Sequence, residues 1–309
     1  MITILGAGGA ISNELVKLLV ARKDAFRLVS RRAPISADAK QTLAADLSDR
    51  EQAVRAVAGS SVVYLLAGLK YDHKLWAEMW PQIMDNAIEA CKRAGAKLVF
   101  FDNVYMYGKV IGAMTEETPF RPQSKKGEIR AQIATALINE WKAGNLTGMI
   151  ARSADFYGPR TSNGIPNAMV FEPLSKGQRP MCLVNDVVPH SYTYTPDAAR
   201  ALVTLTASET AWNHTWHLPT TPRPLTGREF IMHAAQQMGR KPKYRVLSRR
   251  MVRMVGWFNP VVGEVYEMLY QNSSPYLFDS SKYAKAFGFA GTPYAEGIRV
   301  TAESYPDAR

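Results

Sequence analysis

Acidic residues and thiols are both scarce in this 309-residue chain. It has 27 Asp and Glu against 38 Lys and Arg, a formal net charge of +11, and only two cysteines, Cys91 and Cys182. Two distant cysteines exclude a disulfide scaffold and point to reduced thiols in a cytoplasmic protein. No apolar run reaches the ~20 residues of a membrane-spanning helix. Met1 already opens the first expected strand, so no leader is expected. The glycine-flanked serine of a hydrolase elbow is missing, which argues against acyl transfer. Internal repeats and low-complexity tracts are missing too. At 47% hydrophobic and 21% charged residues, the composition is that of a globular protein long enough for a large core or two unequal domains.

The excess of positive charge suits nucleic acid, a membrane surface or an anionic small molecule. Its densest stretch is Arg245 to Arg253, where Arg249, Arg250 and Arg253 interleave with Met251, Val252, Met254 and Val255. Such a helix either lies on a membrane or nucleic acid, or turns an apolar face to the core and its arginines to water. No zinc-finger, RNA-binding or heptad pattern accompanies it. The core-facing reading is therefore preferred, and neither nucleic acid nor membrane is expected as a partner.

The first segment carries the most information. Met1 to Leu5 is a short apolar run, Gly6-Ala7-Gly8-Gly9-Ala10-Ile11-Ser12 follows, and an amphipathic stretch begins at Asn13. Strand, glycine turn and helix in that order bring backbone N–H groups close to a pyrophosphate. The alternation continues with expected strands at Phe26 to Val29, Ser61 to Leu66, Lys97 to Phe101 and Gly148 to Ala151. Helices are expected at Ile11 to Ala21, Arg50 to Val57, Leu75 to Arg93 and Gly127 to Lys142. Short, continuously apolar strands suit a parallel sheet buried on both faces. The expected fold is α/β, a doubly wound parallel sheet (Rossmann fold), with a smaller irregular substrate-binding region in the C-terminal half. Residues 1–155 are expected to form the dinucleotide-binding domain, joined by about 187–208. Residues 156–309, broken by many prolines, are expected to be mainly substrate-binding, with helices near Pro196 to Ala207, Gly227 to Met238 and Ser248 to Phe258.

The end of the second strand names the nucleotide. It reads Ser30-Arg31-Arg32, about twenty residues past the glycines, where an acid would bind a ribose diol. A hydroxyl and two guanidiniums suit a 2′-phosphate instead, so NADP(H) is preferred over NAD(H). Asp46-Leu47 suits the adenine edge; an acid heading the following helix reads equally well. Leu66-Ala67-Gly68 closes the fourth strand with small residues that let a cofactor ribose pass. His214 and His217 lie in an aromatic stretch that reads as a strand, on opposite faces, and no metal is expected.

These segments resemble the extended branch of the short-chain dehydrogenase/reductase superfamily, the NAD-dependent epimerase/dehydratase group. The resemblance rests on the glycine turn, with Ser12 where a third glycine often sits, on Asp46-Leu47, and on Tyr64 to Gly68. It continues through Phe101 to Gly108, Arg152 to Pro159 and Pro196 to Arg200. It implies cofactor contacts at Gly6, Gly8, Gly9, Ala10, Ile11, Asp46, Leu47, Leu66, Ala67, Gly68, Asn103, Arg130 and Phe156. It also implies a homodimer through the helices Leu75 to Arg93 and Gly127 to Lys142. Family chemistry uses a Ser or Thr and a Tyr-x-x-x-Lys pair. Here Asn103 aligns with the Ser/Thr, Lys126 with the tyrosine and Arg130 with the lysine.

Lys126 and Arg130 are four apart and share a helix face. Lys126 can serve as an acid/base or form a Schiff base with a carbonyl; Arg130 keeps its proton and can hold ribose hydroxyls. Alternatively, both cations only bind an anionic cofactor or substrate. Asn103 and Tyr107 are further candidates for the catalytic donor. The string Tyr105 to Lys109 matches Tyr-x-x-x-Lys literally, but beside a glycine at a strand end rather than on a helix. Tyr71, Trp76 and Met106 are candidates for the substrate pocket. Two functions stay open: an NADP(H)-dependent oxidoreductase or epimerase-like enzyme acting on a carbonyl or alcohol, and a non-catalytic NADP(H)-binding sensor.

Overall fold

The computed structural model describes residues 1–305, so positions 306–309 of the expected second region lie outside the described residues. The chain divides into two compact units. The first comprises Met1–Met106, Lys125–Arg152 and Ala199–Trp216. Its strands are β1 (Ile2–Leu5), β2 (Phe26–Ser30), β3 (Gln41–Ala44), β4 (Val62–Leu65) and β5 (Lys97–Asp102), followed by Gly148–Arg152 and Thr215–His217. They form one sheet in the order Thr215–His217, Gly148–Arg152, β5, β4, β1, β2, β3. Every pair from β3 to Gly148–Arg152 is parallel, with Ile4 opposite both Leu28 and Tyr64. The winding reverses between β1 and β4, and ligands of such sheets bind outside the carboxyl ends of the strands at that point.

The helices follow from their sequences. α1 (Ala10–Ala21) starts directly on the glycine turn, and α2 (Arg50–Val57) is capped by the Asp49 side chain. α3 (His73–Ala94) begins under Asp72, whose carboxylate accepts from the N–H groups of Lys74 and Leu75, and it ends at Gly95 with φ of 61°. α4 (Lys125–Lys142) buries Ile129, Ile133, Ala134 and Leu137 along one face. The sheet supplies the rest of the core: Ile4, Leu5, Val63, Leu98, Val99 and Phe100 have no exposed surface. Each such side chain contributes about 1.5–3 kcal/mol by leaving water.

The second unit comprises Tyr107–Ser124, Ser153–Ala198 and the chain from His217 onward. Its centre is aromatic: Tyr157, Phe171 and Phe230 are buried together with Ile231, Tyr294 and Ile298. The expected boundary near 155 moves for a physical reason. The segment 107–124 holds the short strand Ala113–Met114, which pairs with Leu277–Phe278. The segment that returns to the first unit is Ala199–Trp216.

One expectation fails here. The helix Arg249–Gly256 does not turn an apolar face to the core; it buries only Val252. Met251, Met254 and Val255 are exposed, as are Trp257 and Phe258 beyond it. The helix packs on the next one, Pro260–Tyr266, through glycine backbone: a Cβ on Gly256 would stand 2.9 Å from the Gly263 Cα. A backbone crossing of that kind covers few side chains.

Candidate functional site

The glycine turn sits at the carboxyl end of β1 and is held from both sides. The N–H groups of Gly6 and Ala7 donate to the Val29 carbonyl at the end of β2, at 2.9 and 3.0 Å. Gly6 has φ of +99°, and a Cβ there would meet the Ala67 backbone and stand 2.7 Å from the Leu66 carbonyl carbon. Gly8 has φ of +91°. Gly9 caps α1 with no side chain to offer, and Ala10, Ile11 and Ser12 are buried in the first turn. The first N–H groups of a helix have no partner within it, so this turn presents donors and positive dipole to an anion. Its residues fit a dinucleotide pyrophosphate.

The other expected cofactor residues stand at neighbouring strand ends. Ser30 closes β2, and its hydroxyl donates to the Arg32 carbonyl. The Arg31 and Arg32 side chains are exposed. Asp46 is exposed just beyond β3, with Oδ1 accepting from the Ser48 N–H and hydroxyl at 2.9 and 2.7 Å. The cap of α2 is Asp49, so Asp46 is not the acid heading that helix. The side-chain amide of Asn86 on α3 donates to the carbonyls of Leu47 and Ser48 and fixes that loop. Leu66 is buried, Ala67 half-buried and Gly68 exposed beyond β4.

The candidate catalytic residues of this unit form a buried polar cluster. Lys126 and Arg130 lie on α4 and are 0% and 4% exposed. Arg130 donates from Nε to Asp102 Oδ1 at 2.7 Å, and its Nη2 lies 2.6 Å from the same oxygen. The guanidinium carbon stands 4.5 Å over the Trp80 ring and 5.0 Å over Phe100. Arg152 reaches Asp102 from the adjacent strand, Nε to Oδ2 at 3.6 Å. The Lys126 ammonium stands 4.5 Å from the centre of the Tyr71 ring. Tyr71 meets Trp76 edge to face, and Trp76 stacks on Tyr105. Tyr71 and Trp76, expected at the substrate, thus pack as an aromatic cage around the two cations. Asn103 follows Asp102; its Oδ1 accepts from the Tyr105 N–H at 3.0 Å. Met106 is fully buried.

Asp102 and Arg152 were not anticipated. Their signal is an acid ending one apolar strand and an arginine ending another, which the sheet places opposite each other in register.

Tyr107 and Phe156 belong to the second unit. The Tyr107 hydroxyl lies 2.9 Å from His217 Nε2, and His217 Nδ1 lies 2.8 Å from the Asp279 carbonyl. A carbonyl only accepts, so a neutral His217 carries its proton on Nδ1 and Tyr107 donates to Nε2. Phe156 is half-buried in a short strand that pairs with Tyr192–Tyr194. Burial pushes the thiol of Cys182 up to about 11 and that of Cys91 up to about 12, so neither is a nucleophile near neutrality.

A family model described as the NAD dependent epimerase/dehydratase family matches residues 2–216. The chain belongs to that family. A 3-diazoavenalumate denitrifying reductase of Streptomyces sp is 25% identical over 272 residues, covering 83% of this chain and 88% of that protein. Among solved structures, the UDP-glucose 4-epimerase of Thermus thermophilus in complex with NAD is similar, with a TM-score of 0.79 at 21% identity over 100% of this chain and 99% of the other. A dTDP-glucose 4,6-dehydratase double mutant of Streptomyces venezuelae has a TM-score of 0.81 at 17% identity, covering 100% and 98%. At these identities the likeness concerns the fold. The Rossmann-like fold is what the two solved structures share with this chain.

Proposed function

We propose that the protein is an NADP(H)-dependent reductase acting on a carbonyl, or on the matching alcohol, of a small substrate. One observation carries the cofactor choice: beyond β2, where an acid would hold a ribose diol, two exposed guanidiniums stand instead. The glycine turn binds the pyrophosphate. Arg31 and Arg32 take the 2′-phosphate, with the Ser30 hydroxyl beside them. Asp46 accepts from the adenine amine, and Leu66 to Gly68 flank the ribose. When bound, the nicotinamide supplies or accepts a hydride.

The protein's own part is to orient the substrate and to move a proton. Lys126 is the proposed donor to the substrate oxygen. It is an ammonium shielded from bulk water, set one helical turn from Arg130, and the Tyr71 ring faces it. Tyr107 is the weaker candidate, because its hydroxyl donates to His217. Arg130 donates from Nε to Asp102, holds its Nη2 against the same oxygen, and acts on ribose through its other N–H groups. The Streptomyces reductase supports reduction as the reaction class.

The test has two parts. Fluorescence titration is expected to give tighter binding of NADPH than of NADH, and Arg31→Ala is expected to remove most of the difference. Equal affinities would refute the cofactor assignment. NADPH oxidation over a panel of aldehydes, ketones and nucleotide-linked sugars then separates enzyme from sensor. With an accepted substrate, Lys126→Met is expected to lower kcat by about 10²–10⁴, the usual contribution of a general acid. Tight NADPH binding with no turnover on any compound favours the non-catalytic sensor.

A further inference from the structure

The basic stretch has no part in the proposed function. From residue 240 to 258, which takes in the hairpin's first helix and its turn, there are seven cations, the last of them Arg253, and no acid; Glu264 follows on the second helix. Arg249, Arg250 and Arg253 are all exposed. The apolar residues between them are exposed as well: Met251 at 42%, Met254 at 55% and Val255 at 46%. Trp257 and Phe258 follow at 72% and 85%, and Val261 opens the next helix at 51%. Isolated exposed apolar residues are ordinary; a run that includes two large aromatics marks an interaction surface.

The hairpin that carries them is closed and braced. The Asn259 side chain accepts from the N–H groups of Val261 and Val262, and Pro260 sets the first turn. The two helices meet at Gly256 and Gly263 with backbone in contact. The base is anchored by Val252, which packs with Leu183 and Leu269. Trp257 and Phe258 therefore sit at the closed end of a short helical hairpin, between two fixed helices.

We propose that this hairpin docks on an anionic phospholipid surface. Trp257 and Phe258 seat at the boundary of headgroups and acyl chains, and the arginines bind lipid phosphates. Aromatic and aliphatic side chains beside a polybasic stretch are the two signals that reversible surface binding needs. A second copy of the chain fits poorly, because a two-fold interface would set these like charges against each other. Nucleic acid would neutralise the arginines and leave the aliphatic residues in water.

The test is co-sedimentation of the full chain with two kinds of vesicle, phosphatidylcholine alone and phosphatidylcholine mixed with phosphatidylserine. The protein is expected to sediment with the mixed vesicles only, and to be released by high salt. Trp257→Ser/Phe258→Ser and, separately, Arg249→Glu/Arg253→Glu are each expected to lower the partition by about tenfold or more. All of these side chains are exposed, so both variants should keep the parent's melting temperature and NADPH affinity. No sedimentation with the mixed vesicles overturns the proposal, as does equal partition of the variants. Concentration-dependent self-association of the vesicle-free protein, abolished by Trp257→Ser/Phe258→Ser, would assign the surface to a second copy instead.

Discussion

Asp102 holds the buried cluster together: its carboxylate, without exposed surface, is bound by Arg130 and approached by Arg152. Removing one partner of a buried pair strands the other, so Asp102→Ala is expected to cost about 3–5 kcal/mol in urea unfolding. A cost under about 1 kcal/mol would mean that water replaces the carboxylate. Gly6 is constrained differently. Its φ of +99° and the approach of Leu66 and Ala67 leave no room for a Cβ. Gly6→Ala is expected to lose at least about 1–3 kcal/mol and to abolish NADPH binding, since β1 and β4 must part to admit the methyl. Glu116 offers a pH test. Burial raises its carboxyl above the usual range, against the lowering effect of the His217 N–H that it accepts. The folded state then holds this proton more tightly than the unfolded chain, so stability falls as pH rises from about 4.5 through the raised value. Glu116→Gln keeps an acceptor for the His217 N–H. It is expected to raise the melting temperature at pH 7, with the gain vanishing by about pH 4.

At the scale of elements, much was legible from local pattern. β1, α2 and the start of β5 lie where apolar runs and caps put them, and α1 begins one residue earlier than expected. α3 starts two residues before Leu75, because Asp72 accepts from two N–H groups of its first turn. Asp72→Ala is expected to cost about 1 kcal/mol by thermal or urea unfolding, the usual worth of such a cap. What stayed hidden depends on pairing between segments distant in sequence. The two-residue strand Ala113–Met114 exists only because Leu277–Phe278 lies beside it. The partners of Arg130 could not be read from α4, because Asp102 and Arg152 come together only through sheet register. Tyr107 looked like a cleft phenol beside a glycine, and its partner His217 is 110 positions away. The basic helix misled for a related reason: the pattern of Met251, Val252, Met254 and Val255 fits a core face, and nothing local says that a glycine crossing takes its place. The glycine turn was readable because strand, turn and helix are contiguous.

Across the whole molecule, the net charge of +11 draws any anionic ligand, so tight binding of NADPH alone would not locate the discriminating residues. Salt separates the whole-molecule field from the local contact. NADH and NADPH share the pyrophosphate, so the ratio of their affinities cancels its contacts and leaves only what acts on the extra charge of the 2′-phosphate. On the proposed cofactor assignment, that charge meets Arg31 and Arg32, both exposed and therefore open to screening. Between about 0.1 M and 1 M salt the screening length falls from about 10 to 3 Å. Over that range the NADPH-to-NADH preference is expected to shrink several-fold and to approach that of Arg31→Ala/Arg32→Ala, which should itself respond little to salt. The charge-reversed hairpin, Arg249→Glu/Arg253→Glu, provides the control. It lowers the net charge by four while leaving the turn beyond β2 untouched, so a ratio set by Arg31 and Arg32 should stay where it was. A ratio that ignores salt would place the discrimination in buried groups, and one that follows the hairpin charges would make it a property of the overall field.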